Sequence, residues 1–190
     1  MTTYLLGDSH LANLGPRIPA LGTDLVNLAV GGAVASDVAC QLKAVALPDD
    51  ATLVVSIGTN DADPTRGLPL DAFGAVLDAL VAARPGRHWV YLASPGCAGD
   101  IDEAWTATNM ARYSARAAEA FAACGLVLDT PRVLAPAGAD AFDEDRLHLS
   151  AWGYALLLPA LAEALVAVQG PLPAGEDDGA TRALLQGGPE

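Results

Sequence analysis

The sequence predicts an α/β fold in which a parallel sheet carries helices on both faces. Three observations point there. Short aliphatic or β-branched runs alternate with longer stretches whose apolar residues recur at spacings near three and four. The short runs do not alternate apolar with polar, as expected of strands covered on both sides. Hydrophobic residues make up 52 % of the 190 and charged residues 17 %, which suits one domain with a substantial core and excludes wholesale disorder.

Taken in order, strands are expected at Thr3–Leu6, Leu25–Ala29, Leu53–Ile57, Trp89–Ala93 and Leu126–Leu128. Helices are expected at Ala35–Ala46, Leu70–Ala83, Thr108–Cys124 and Ala151–Val168. The link from the first strand to the second is broken by Gly15, Pro16 and Pro19, which interrupt any helix there. The last helix is apolar enough to raise a membrane span. Gly153, Pro159 and Glu163 within it, and the mostly acidic residues before it, favour a helix packed on the sheet and kinked at Pro159. From residue 170 to 190 the composition turns to proline, glycine and acids. We therefore expect a folded domain over 1–169 and a flexible acidic tail over 170–190.

Ten basic against 23 acidic residues leave a formal charge of −13, with no basic stripe for nucleic acid or an anionic membrane surface. A small-molecule partner is expected instead. Cys40, Cys97 and Cys124 form no CxxC pair and no zinc spacing, and their odd number does not suit a disulfide framework. With no basic N-terminal region leading into a long apolar run, a cytoplasmic protein is the expectation.

Ligands of such sheets sit beyond the carboxyl ends of the strands, so the residues after each strand matter most. They are Gly7-Asp8-Ser9-His10, Val30-Gly31-Gly32-Ala33, Gly58-Thr59-Asn60-Asp61 and Ser94-Pro95-Gly96-Cys97, followed by DEDRLHLS over 143–150. Small, polar and ionisable residues thus collect at one end of the sheet. Ser9 is either the N-cap of the next helix or a nucleophile. His88 begins the fourth strand at the opposite edge and reads as structural. His148 follows Asp145 by three residues, a spacing that lets a carboxylate reach Nδ1 and turn Nε2 outward as a base. The Ser9 N–H, a glycine N–H from Gly31-Gly32 and the Asn60 amide are available donors for a developing oxyanion. A divalent cation on Asp8, Asp61, Asp143, Asp145 and His148 is the competing picture, but it leaves Ser9 and Asn60 without a role; no metal and no cofactor are expected.

Gly7-Asp8-Ser9, Asn27 through Gly32, Gly58-Thr59-Asn60-Asp61 and Asp145-x-x-His148-Leu149-Ser150 resemble, in order, the four signature blocks of the SGNH hydrolases, the GDSL lipase/esterase family. The blocks span residues 7 to 150. The resemblance implies a flavodoxin-like three-layer α/β/α sandwich with a five-stranded parallel sheet. It also implies ester hydrolysis through an acyl-enzyme, with Ser9 as nucleophile, His148 as base and Asp145 as its orienting acid. Gly32, five residues after Asn27, matches the oxyanion glycine, and Asn60 the side-chain donor. The sequence departs from the family name at His10, which stands in place of leucine, either at the mouth of the site against substrate or towards solvent. Trp105, in the long segment Pro95–Thr108, either walls the substrate site or packs on the core. The leading expectation is a serine esterase for small acyl esters; an acyltransferase using the same acyl-enzyme and a non-catalytic flavodoxin-like binding module are the alternatives. The binding module lacks a phosphate cradle such as GxGxxG after the first strand.

Overall fold

The structure, a computed structural model, describes residues 1–22, 24–84 and 88–169; the expected tail, 170–190, lies outside the described residues. Five parallel strands form one sheet: β1 (Thr3–Gly7), β2 (Leu25–Asn27), β3 (Thr52–Ser56), β4 (His88–Leu92) and β5 (Gly125–Leu128). Their order is β2-β1-β3-β4-β5, the doubly wound arrangement expected of a flavodoxin-like sandwich. β1 lies between β2 and β3, pairing Thr3 with both Leu25 and Thr52.

The three central strands are largely apolar because both of their faces are covered. Tyr4, Leu6, Leu53, Val55, Trp89 and Tyr91 point to one side, where α2 (Ala35–Lys43), α3 (Leu70–Ala82) and α4 (Ala107–Ala122) bury Val38, Leu42, Phe73, Leu77 and Phe121. Leu5, Val54, Val90 and Leu92 point to the other, against α1 (Ser9–Ala12), α5 (Thr130–Leu134) and α6 (Ala151–Gln169). α6 has the length and hydropathy of a membrane span, yet its Tyr154, Leu157, Leu161 and Leu165 are buried in this second layer. The helix runs on through Pro159 without a break.

Two local expectations change. β2 is regular only to Asn27, whose side chain accepts the Ala29 N–H at 3.0 Å, although Leu28 N and Val30 N still donate to Leu5 O and Gly7 O of β1. The interrupted link after β1 resolves into the single turn α1 and a 3₁₀ helix over Gly15–Leu21. The elements α5 and a 3₁₀ turn at Gly138–Ala141 were not expected, being too short for helical periodicity to register. The chain reverses direction around the sheet at β1 and β3, so their carboxyl ends border the crevice where doubly wound folds place ligands.

Candidate active site

Ser9 is placed by a backbone that only glycine admits before it. Gly7 has φ +103°, and a Cβ there would lie 1.9 Å from the Ser56 carbonyl oxygen on β3. The buried Gln41 side chain then holds this corner, accepting from Gly7 N at 2.6 Å and donating to Gly7 O at 2.9 Å. The cap of α1 is Asp8, not Ser9: Asp8 Oδ1 accepts from the His10 N–H at 3.1 Å and from Ser56 Oγ at 3.0 Å. Ser9 is the first residue of α1, and its hydroxyl is free for other work.

That hydroxyl lies 3.1 Å from His148 Nε2. Nδ1 of the same ring lies 2.5 Å from Asp145 Oδ2. Asp145 holds the turn together with its other oxygen, which accepts from Leu147 N at 3.0 Å and His148 N at 2.9 Å. Arg146 makes that turn possible with a left-handed φ of +64°, a conformation costing a non-glycine residue about 1 kcal/mol or more. Its carbonyl accepts from Ala98 N at 2.8 Å, which ties the turn to the loop after β4. Desolvation opposes ionisation of Asp145, but the bonds from the His148 ring and from the Leu147 and His148 amides hold its carboxyl down at about 2. An ionised Asp145 makes Nδ1 the protonated nitrogen, which donates to it. Nε2 is then the acceptor facing the Ser9 hydroxyl.

The Gly31-Gly32 loop borders Ser9, and the loop over 58–61 is bonded to it. A Cβ on Gly31 would stand 3.9 Å from Ser9 Cβ, which puts the Gly31-Gly32 loop alongside Ser9. Gly32 has φ +79°, a further position suited to glycine. Asn60 is buried and donates one amide hydrogen to Ala33 O at 3.0 Å, leaving the second without that partner. Asp61 joins the two loops: its carboxylate accepts from Gly58 N at 2.9 Å and from Ala35 N, at the start of α2, at 2.8 Å. Asn27 ties the second loop to α1 by donating to Leu11 O at 2.9 Å. Burial pushes the Asp61 carboxyl up to about 6 despite the bonds from Ala35 and Gly58.

His10 lies at neither place expected of it, the mouth of the site or solvent. It is 2 % exposed, with Nε2 3.4 Å from Thr59 Oγ1 and Nδ1 buried without a partner. Its ring centroid is 6.4 Å from that of His148. Burial first, and the neighbouring His148 second, lower its pKa to about 3, so the ring is neutral. Thr59 continues the buried chain to Ser94 Oγ at 2.6 Å. Trp105, just before α4, donates from Nε1 to Thr59 O at 2.8 Å, so its indole is packed on the loop that carries Asn60. His88 opens β4 at the sheet's other end, as expected.

The carboxylates of the competing metal picture are engaged separately: Asp8 with Ser56 and His10, Asp61 with Gly58 and Ala35, Asp145 with His148. Among the described residues no three His, Cys, Asp or Glu side chains gather where they could hold a metal ion. Sequence reasoning passed over Gln41, Thr59 and the joining role of Asp61. A polar residue at an otherwise apolar helix position, as Gln41 is, was the available signal.

The GDSL-like lipase/acylhydrolase family model matches residues 5–156. No curated protein matches the chain. Among solved structures, a lipase/acylhydrolase from Enterococcus faecalis is similar with a TM-score of 0.73 and 22 % identity, covering 92 % of this chain and 100 % of its own. The acetylxylan esterase Axe2 from Geobacillus stearothermophilus has a TM-score of 0.65 and 18 % identity, over 90 % of this chain and 94 % of its own. LAE5, an α/β hydrolase from the metagenome of Lake Arreo, Spain, has a TM-score of 0.64 and 20 % identity, over 91 % and 96 %.

Proposed function

Since the chain belongs to the GDSL-like lipase/acylhydrolase family and is an ester hydrolase, we propose that it cleaves small acyl esters through an acyl-enzyme on Ser9. The observation that carries this reading is the unbroken run of hydrogen bonds from Asp145 through His148 to Ser9 Oγ. His148 Nε2 takes the hydroxyl proton as Ser9 Oγ attacks the ester carbonyl carbon. Asp145, held ionised, favours the imidazolium that forms. The Ser9 N–H, the Gly32 N–H and the second amide hydrogen of Asn60 receive the developing negative oxygen, at about 3 kcal/mol of transition-state stabilisation for each such donor. His148 then returns the proton to the leaving alcohol. A water molecule activated by the same nitrogen releases the acid and frees Ser9.

The connection beside Ser9 from β2 to α2 is short, residues 28–34, and favours short acyl groups; the connections after β3 and β4 are longer, 57–69 and 93–106. Axe2, an acetylxylan esterase by name, is an instance of short-acyl chemistry on this fold. The three free cysteines suit a reducing, cytoplasmic setting.

The test combines a fluorophosphonate probe with a graded series of 4-nitrophenyl esters. Labelling at Ser9 and a kcat/KM highest for acetate or butyrate are expected. Absence of labelling with intact folding overturns the nucleophile assignment, and a kcat/KM still rising at dodecanoate overturns the short-acyl assignment. Product analysis with an added alcohol distinguishes hydrolysis from acyl transfer.

A further inference from the structure

Next to the oxyanion loop the structure holds a positive charge that the chemistry above does not use. A Cβ placed on Gly32 would lie 3.2 Å from Arg66 Nη1, so the guanidinium is against the glycine assigned to the oxyanion. Arg66 lies on the segment that follows Asn60 and Asp61, and reaches across to the loop after β2. Its side chain is 55 % exposed, so the guanidinium beside Gly32 is open to a ligand from solvent.

The Arg66 side chain is not what closes its own turn. The Arg66 and Gly67 amides donate to Asp63 O at 3.0 and 2.8 Å, and Asp63 Oδ1 accepts from Thr65 N and Oγ1 at 2.8 and 2.7 Å. Gly67 then packs against Asp61, where a Cβ would fall 1.8 Å from the Asp61 carbonyl oxygen. The base of Arg66 is thus fixed to the Asn60 loop by the Asp63 carbonyl, the Asp63–Thr65 bonds and the Gly67 contact. Asp63 Oδ2 lies 3.5 Å from the inner nitrogen, Nε. Among the described residues no hydrogen bond occupies the outer pair of nitrogens, which stay available to another acceptor. An exposed pair of this kind adds little to stability, so folding does not explain the placement.

We propose that Arg66 forms an anion-recognising subsite beside the oxyanion hole, and that the esters this site prefers carry a carboxylate a few bonds from the scissile carbonyl. The proposal rests on the esterase reading and names its substrate class. A planar guanidinium with two free nitrogens matches a carboxylate in a fork, with a geometry that lysine does not reproduce. The chain as a whole, at −13, repels anions at long range. Selectivity for a carboxylate must therefore come from direct contact, and Arg66 is the cation in contact with the oxyanion loop.

Two matched pairs of esters test this. One carries the charge on the acyl side, 4-nitrophenyl hemiglutarate against 4-nitrophenyl valerate. The other carries it on the leaving group, 3-acetoxybenzoate against phenyl acetate. In at least one pair, Arg66→Met should lower kcat/KM for the charged member by about 10–100-fold, mostly through KM, with the neutral member within about twofold. Arg66→Lys should fall between the two. If Arg66→Met changes both members of both pairs alike, the subsite is overturned. Fluorophosphonate labelling of Ser9 is read in the same variants. Labelling retained without discrimination defeats the Arg66 subsite alone, whereas no labelling in the parent protein defeats the esterase reading.

Discussion

His148 Nε2 lies 3.1 Å from Ser9 Oγ although 139 positions separate the two residues in the chain. The contact forms because β1 ends beside the loop that precedes α6, and Tyr154 of α6 donates to His10 O at 3.0 Å, fastening that loop's helix to α1. Ser9→Ala should abolish both turnover and labelling by a fluorophosphonate. Asp145→Asn should keep the serine and imidazole in place yet reduce kcat by up to about 10⁴-fold, because an amide can hold the ring in the wrong tautomer. Steady-state kinetics on variants with parental melting curves check both.

On the proposed reading, in which the second amide hydrogen acts on charge that develops only in the transition state, Asn60→Ala should lower kcat by about 10²–10³-fold with little change in KM. Loss of the bond to Ala33 O should add a stability cost of about 1 kcal/mol. Ser9 should still label. A parental kcat in this variant would remove Asn60 from the oxyanion hole.

Asp61→Asn probes how the loops carrying Gly32 and Asn60 are held together. An asparagine offers one acceptor oxygen where Asp61 offers two, so either Gly58 N or Ala35 N loses its partner. We expect a stability loss of about 1–3 kcal/mol and a fall in kcat that exceeds any change in KM. Urea unfolding and kinetics at one pH measure both effects. Parental kcat together with lowered stability would show that Asp61 supports the fold alone.

Asp8 is fully buried, and burial raises its carboxyl from 3.8 to about 7 against the bonds from His10 and Ser56. The folded state therefore holds a proton that the unfolded state has already released, over the window from about pH 4 to pH 7. With more protons bound to the folded chain, Asp8 lowers stability as pH rises through that window. Asp8→Asn should remove this contribution. The stability of the parent relative to Asp8→Asn should rise as pH falls from about 7 to about 4, with a slope of up to about one proton. Denaturant midpoints at several pH values check it, and a flat difference would mean that Asp8 ionises alike in both states.

His10→Leu replaces a buried ring whose Nδ1 has no partner by the residue the family name carries at this position. Stability should be unchanged or higher by up to about 1 kcal/mol, and kcat/KM for acetate esters should stay within about threefold. A larger loss of kcat/KM with retained folding would place Nδ1 in contact with substrate.

What could be read from the sequence was local. The strand positions followed from uninterrupted apolar runs, and β1, β3 and β4 begin and end within a residue of expectation. The Asp145–His148 pair was legible because one turn, set by the left-handed Arg146, decides whether a carboxylate reaches an imidazole three residues on. Asp8, by contrast, was read as part of the first signature block and as a possible cation ligand, with no capping role. Its capping role depends on the backbone at Gly7, which is shaped by contact with β3.

The sequence by itself determined the layered α/β architecture, the end of the sheet where chemistry collects, and the residue types available there. These follow from apolar periodicity and from loops adjoining each strand, which act over a few residues. Only the tertiary structure decided that His10 is buried, that Asp61 joins two loops, that Gln41 grips Gly7 and that Arg66 reaches Gly32. Those outcomes depend on which segments the parallel crossovers bring together. Burial, and hydrogen bonds between residues far apart in the chain, are properties of that assembly and leave no periodic trace in the sequence.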